Sequence, residues 1–483
     1  MVSYLSGKAP QATQWGITLP DARNPGVSLF WTVDGPQRFL ERRLDPLTAE
    51  PLTQRETLGG EFFYRFHFNL HYVSPITGRW VVGLAAMFML VAIVSGIITH
   101  KKIFAEFFTF RWGKGQRSWL DAHNGLAVLG LPFHLMITYS GLVTLILLYM
   151  PWGAMQAFPT QADKMQQQQQ ITGFRFPAPR AARQAPLADV PGMVSEATRR
   201  WGAQGVGRVY VNNPGDAGAR VTVLRSHDGQ VSVSPEYLLF DGNTGALLEH
   251  HVTTQPAIET RGVLIALHEG RFAHLQLRWL YFMLGLAGTG MVGSGLVLWT
   301  VKRRAKLPDP ARPYFGFRLV ERLNITTIAG LPLAMTAFLW GNRLLPAQLG
   351  NPDATTEGAG FLLDILGRMP GGRIEAEIAV FFATWALAAL YACLRPPRRA
   401  WIELLAATAV LMAATPVLNA VTSNRGMLNS LMQGDWTMLG VDLGLLALAV
   451  LMGTLAWHTA KHQPRGKATA PARKTGSSQQ ERS

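Results

Sequence analysis

Seven apolar runs dominate the pattern of the chain: about Trp80–His100, His123–Met150, Trp279–Val301, Ile325–Leu345, Ile378–Leu394, Trp401–Leu418 and Trp436–His458. Each approaches the roughly 20 helical residues that cross a hydrocarbon core of about 30 Å. Between the second and third runs the pattern changes. Leu187–Trp201 has the apolar spacing of a helix, whereas Val206–Val211, Arg220–Leu224, Gln230–Val233 and Tyr237–Phe240 alternate like strands and end in a turn at Asp241-Gly242-Asn243. Gln166–Gln170 and the Pro/Ala/Arg stretch around Pro177–Pro186 read as flexible connection. The expected fold is an α-helical polytopic membrane protein of about seven spans with a small α+β domain outside the bilayer, one helix on an antiparallel sheet. Its expected divisions are an outward N-terminal segment 1–79 that is the remnant of a first, separate domain unit, a first transmembrane pair 80–150, a linker and outer domain 151–275, a third span 279–301, a four-span bundle 325–458 and a basic, disordered tail 459–483.

Charge adds orientation. Only 16% of the 483 residues are charged, against about 25% in soluble proteins, and the apolar runs account for the deficit. The net charge of +15 sits in short segments: Lys101, Lys102, Arg111, Lys114 and Arg117 after the first run, Lys302, Arg303, Arg304 and Lys306 after the third, Arg395, Arg398 and Arg399 after the fifth, and the tail with Lys461, Arg465, Lys467, Arg473 and Lys474. That is the positive-inside distribution of a bacterial inner-membrane protein with a cytoplasmic C-terminus, and it argues against nucleic-acid binding. The outward segment 1–79 has no signal peptide, so a start upstream of Met1 is expected. The single cysteine, Cys393, excludes a disulfide framework, a Cys-ligated iron–sulfur cluster and c-type haem within this chain.

An internal repeat is visible. "LDPLTAEPL", "LHY", "RW" and a span containing "SGIITHKK" are echoed by "FDGNTGALL", "LHEG", "RW" and a span containing "SGLVLWTVKRR". Asp45 precedes His71 by 26 positions and Asp241 precedes His268 by 27; Trp80–Gly96 and Trp279–Gly295 are both spaced by 16. The second copy is preceded by the His123–Met150 run, and symmetry leads one to expect such a span before the first.

Histidines carry the candidate chemistry, because an ionisable group in a membrane helix is costly. His123 and His134 lie 11 positions apart, which on one straight helix places both on one face, about 16 Å apart along the axis. Two haem irons at different depths suit that arrangement, as do Gly125, Ala127, Gly130 and Gly141 on the same run. Pro132 would loosen the helix just before His134. His71 and His268, equivalent in the two repeats, are expected to meet at a pseudo-twofold axis as a bis-imidazole site. His67, His100 and His274 are secondary candidates. Structural hydrogen bonding, proton relay or binding of a transported metal, with Asp442 deep in the last span, are the competing readings of these side chains. No GxGxxG after a strand, P-loop or HExxH occurs, so the chain offers no flavin or nicotinamide site. Electrons from the cytoplasm would have to come from another protein or a quinol.

The stretches "GRWVVGLAAMFMLVAIVSGIITHKKIF", "FFTFR", "RSWLDAHNGLAVLGLPFHLMITYSGLV" and "LHEGRFA…LRWLYF…GLVLWTVKRR" resemble the PepSY-associated transmembrane-helix family, and the unit ending "FDGNTGALL" resembles a PepSY domain. The resemblance covers about residues 35–305. It implies likeness to iron-regulated membrane proteins and ferric-siderophore reductases, hence b-type haem (two in a form with the preceding span) and reduction of a ferric siderophore or other chelate on the periplasmic side. His123 matches the family's histidine at the start of its third helix, and His71 and His268 match its "LH" positions. The family's first helix, which carries a histidine of its own, has no counterpart here. A PepSY-type scaffold that binds an envelope partner without redox activity is the alternative.

Overall fold

The computed structural model describes residues 1–483 except 22–23, 34–38, 53–54, 100–115, 176–178, 204, 348, 350–370 and 462–483. His100 and the basic residues Lys101, Lys102, Arg111 and Lys114 therefore lie outside the described residues. The chain forms two compact units, one of Met1–Arg55 with Gly60–Leu298, the other of Glu56–Gly59 with Trp299–Ser483.

In the first unit, strands β1 (Gln14–Thr18), β2 (Val27–Thr32), β3 (Phe39–Leu44), β4 (Val206–Asn212), β5 (Arg220–Arg225), β6 (Glu236–Asp241) and β7 (Leu247–Val252) make one antiparallel sheet in the order β3-β2-β1-β4-β5-β6-β7. The central pair is β1 with β4, in register Trp15↔Val211 and Ile17↔Val209. The two repeats thus share a single sheet and extend outward from its middle, so residues 14–44 are half of the α+β domain rather than the remnant of a separate one. Helices α1 (Val2–Lys8) and, later in the chain, Val190–Trp201 cover the same face. Leu5 and Ala9 from the first, and Val190, Met193 and Ala197 from the second, pack on Trp15, Ile17, Leu29, Val209, Val221, Val223, Leu238 and Phe240. On the opposite face Phe30 lies over Gly16, where a Cβ would fall 1.9 Å from the ring, and it meets Phe39 and Tyr210 edge-on. Burying both faces explains the all-apolar run Tyr237–Phe240.

Two sequence expectations fail in this region. Gln230–Val233 is not a strand, and the extra strand is β7, beyond the Asp241 turn. The glutamine run is a helix, Gln161–Thr172, not a flexible linker. Thr160 and Asp163 close a capping box at its start, and Gly173 with φ 68° ends it.

Among the described residues, six helices are long and apolar enough to cross a membrane, or seven when one bent pair is taken as a single span. In the first unit these are α3 (Pro75–Thr99), which follows α2 (Gly60–Asn69), the bent pair α4 (Gln116–Leu129) and α5 (Leu131–Thr144), and a helix at Leu275–Arg304. The second unit holds Phe315–Leu344, which contains a π-helical turn at Thr326–Gly330, and then Gly372–Leu394, Pro397–Thr422 and Trp436–Lys461. Buried Ala329, Ala388, Ala392, Ala400 and Ala456 let these helices pack closely.

The Gly372–Leu394 helix starts before the apolar run, because Arg373 and Glu377 lie inside it, fully buried and paired. Arg373 also donates to the carbonyls of Glu56 (2.6 Å) and Asn342 (2.7 Å), and Glu377 accepts from Thr57 Oγ1 (2.6 Å) and Asn342 Nδ2 (3.1 Å). Every partner is satisfied, which is the condition for burying such charges.

Candidate functional site

The repeat is reproduced in the turns that follow β3 and β6. Asp45 Oδ1 accepts from the amides of Leu47 and Thr48 (2.8 and 2.9 Å), and Asp241 Oδ1 accepts from those of Asn243 and Thr244 (3.0 Å each). These backbone hydrogen bonds, led by those from Thr48 and Thr244, hold both carboxyls below the usual aspartate range. The fifth residue is left-handed in both turns: Ala49 at φ 59° and Gly245 at φ 77°.

Each turn leads toward a helix that ends in the same left-handed cap. In α2 the Leu70 amide bonds to the Phe66 carbonyl (3.3 Å) with φ 59° at Leu70; in α8 (Pro256–Glu269; α6 and α7 denote Gln161–Thr172 and Val190–Trp201) the Gly270 amide bonds to the Ala266 carbonyl (2.8 Å) with φ 62° at Gly270. Matching cap to cap changes the histidine correspondence. His268 lies in the last turn of α8, and the histidine in the last turn of α2 is His67. His71 lies beyond the cap and packs against Phe62 and Tyr72. Accordingly the ring beside His268 is that of His67, with centroids 6.1 Å apart and planes 23° from parallel. Two imidazoles that share a metal at about 2 Å from each nitrogen have centroids roughly 6 Å apart.

His268 is oriented from behind. Its Nδ1 lies 2.9 Å from the Ile137 carbonyl and 3.3 Å from Ser140 Oγ on α5. A carbonyl only accepts, so Nδ1 carries the proton and Nε2 the lone pair. Burial pushes this imidazole below the usual histidine pKa, which favours the neutral form that ligates. Gly141 makes the close approach possible: a Cβ there would fall 2.7 Å from His268 Cε1.

His123 is seated in the same manner. Its Nδ1 is 3.1 Å from Ser294 Oγ on α9 (Leu275–Arg304), and that hydroxyl donates to the Met291 carbonyl, so it accepts from the imidazole and leaves Nε2 with the lone pair. A Cβ on Gly295 would come within 3.0 Å of the ring. In both cases a Ser–Gly dipeptide supplies hydroxyl and space, and Ser95–Gly96 stands at the matching place in the first repeat.

His134 differs. It is buried, its Nε2 donates to the Leu284 carbonyl (3.1 Å), and it lies between Gly130 and Gly288. The straight-helix relation between His123 and His134 does not hold, because α4 and α5 are bent by 62° at Gly130, where Pro132 removes an amide donor and crowds the turn before it. Both imidazoles still address α9, next to Gly288 and Gly295, which are two turns apart on one face, about 10.5 Å along the axis. His274 is exposed in the turn before α9, with its carbonyl accepting from the Arg278 amide (2.9 Å).

The donor set is therefore imidazole, with orienting acceptors behind Nδ1 of His268 and His123 and behind Nε2 of His134, and glycines that let these rings seat against the neighbouring helices. By their spacing His67 and His268 would hold a haem, with His123 and His134 as further imidazoles nearby. Among the described residues, no three or more His, Cys, Asp or Glu side chains converge on a point as a cage for a bare ion would require.

The PepSY-associated TM region family matches residues 4–302, which takes in both halves of the sheet and every histidine discussed above. An uncharacterized protein of Pseudomonas aeruginosa is 28% identical over 411 residues, which cover 80% of this chain and 91% of that protein. On the family match, which spans more than half of its length, the chain belongs to the PepSY-associated TM region family.

Proposed function

We propose that this protein is a haem-bearing electron carrier of the bacterial inner membrane that delivers electrons to a ferric siderophore or similar ferric chelate on the periplasmic side. The observation that carries the reading is the His67–His268 pair, with Nδ1 of His268 tied to the Ile137 carbonyl. A b-type haem bound there supplies reversible one-electron chemistry. The chain's own part is to present Nε2 of His268, to keep that imidazole neutral, and to let it seat against α5 at Gly141. His123 and His134 provide donors for a second haem, and His71 stands one turn from the first as a residue of its surroundings.

Orientation follows from charge. Lys302, Arg303 and Arg304 end α9, Arg395 lies between two spans of the second unit, and Arg398 and Arg399 stand in the first turn of the span that follows. The positive-inside rule assigns those ends to the cytoplasm and the sheet domain to the periplasm. A cytoplasmic protein or a quinol is the source of electrons, since the sequence contains no nicotinamide or flavin motif.

The test is an optical spectrum of the detergent-purified full chain, oxidised and then reduced with dithionite. Sharp α-bands of low-spin b-type haem, diminished in His268→Ala, support the proposal. A full chain that carries no haem after expression with ample haem supply would refute it and leave partner binding by the sheet domain as the main activity.

A further inference from the structure

One cation near the candidate haem position lacks a counter-charge. Arg261 is part-buried on α8; its Nε is buried, and it makes no hydrogen bond or ion pair among the described residues. The other arginines around this end of the first unit are all engaged. Arg65 bonds Glu61 (2.9 Å), Arg79 bonds Asn69 Oδ1 (2.8 Å), Arg271 bonds Glu269 (2.9 Å), and Arg278 bonds the Ala273 carbonyl (2.7 Å). Burial with no acidic neighbour holds the Arg261 guanidinium below its usual pKa. A guanidinium whose Nε is buried without a partner carries a desolvation cost that an anion at its accessible terminal nitrogens offsets.

Position points to the anion. Arg261 precedes His268 by seven residues on one helix, which at 100° per residue returns within about 20° of the same side, roughly 10.5 Å along the axis. That stretch of α8 is clamped. The Gly262 carbonyl accepts from the Val233 amide (3.2 Å), Ser234 Oγ donates to the Ile258 carbonyl (3.3 Å), and a Cβ on Gly262 would fall 2.2 Å from Ser234 Oγ. The backbone of Arg261 is therefore held at a fixed height on the side of α8 that presents His268.

We infer that Arg261 is a carboxylate-binding residue of this site, pairing with an acidic side chain of the tetrapyrrole whose iron His268 ligates. The inference rests on the haem reading above. It assigns Arg261 a role in selecting and orienting the ring, separate from axial ligation. A guanidinium suits this because its planar fork accepts a carboxylate through two hydrogen bonds.

The experiment titrates the haem-free full chain with haem b and with its dimethyl ester, which keeps the iron and ring but lacks both carboxylates. The readout is the affinity taken from the low-spin spectrum. The wild-type chain should prefer haem b over the ester by about tenfold to a hundredfold, the range of one charge-assisted hydrogen bond. Arg261→Gln should bind both forms with the affinity the wild type shows for the ester, and Arg261→Lys should recover part of the preference.

If Arg261→Gln keeps the full preference, or loses affinity for both forms equally, the assignment is overturned. It is also overturned if Arg261→Gln changes only association with vesicles containing anionic phospholipid, because the occupant is then a lipid phosphate. A wild-type chain that takes up neither form refutes the haem reading itself, which distinguishes that failure from a failure of Arg261.

Discussion

The two repeats place different residues in one turn, and that comparison makes a stability prediction. Ala49 and Gly245 occupy the same left-handed position, but only glycine does so without a Cβ penalty. Ala49→Gly should therefore raise the stability of the sheet domain by about 0.5–1 kcal/mol, read as an upward shift of its thermal midpoint. A fall in the midpoint would show that the Ala49 methyl contributes more than the strain it causes. The same scale explains why the pairing of His71 with His268 was the natural reading of the sequence. Counting from "LH" to "LH" matches letters, whereas the chain aligns its helices by their caps, and the positive φ at Leu70 is invisible in the residue itself. The orienting groups of His268 and His123 were half legible. The Ser–Gly dipeptides stand in the repeat, but the Ile137 carbonyl that fixes the proton of His268 belongs to the backbone of another helix.

At the level of elements, the existence of the spans was readable because apolar runs of membrane length leave little choice, although the fourth starts at Phe315, well before the expected Ile325. Failures occurred where local pattern and tertiary partner disagree. The strands β1 to β3 went unseen because each is short and they join the rest of the sheet only through β1, which pairs with β4 nearly 200 positions away. Arg373 and Glu377 hid the start of a span because a charge reads as an end, although the pair is buried and neutralised. The glutamine run shows no apolar face, and its helix depends on its caps. The packing of α5 against α8 carries a prediction of its own. Gly141→Val should displace the His268 imidazole from the Ile137 carbonyl and lower haem content several-fold, with the circular dichroism of the sheet domain retained. Unchanged haem content would mean that α5 and α8 separate freely, and the close approach would have no bearing on the site.

For the whole molecule, one pseudo-symmetric unit carries the sheet and the histidines, and the family match ends within its last helix, at residue 302. The bundle that follows is held by its own buried polar network, and the first unit contains all the donors that the proposed function requires. The central claim is that His67 and His268, from the matching ends of α2 and α8, act as one axial pair. Low-temperature electron paramagnetic resonance of the oxidised full chain tests it most directly, comparing the wild type with His67→Ala and His71→Ala. The account predicts a low-spin bis-imidazole ferric signal that turns high-spin in His67→Ala and persists in His71→Ala. Loss of the low-spin signal in His71→Ala, with the signal intact in His67→Ala, would contradict it.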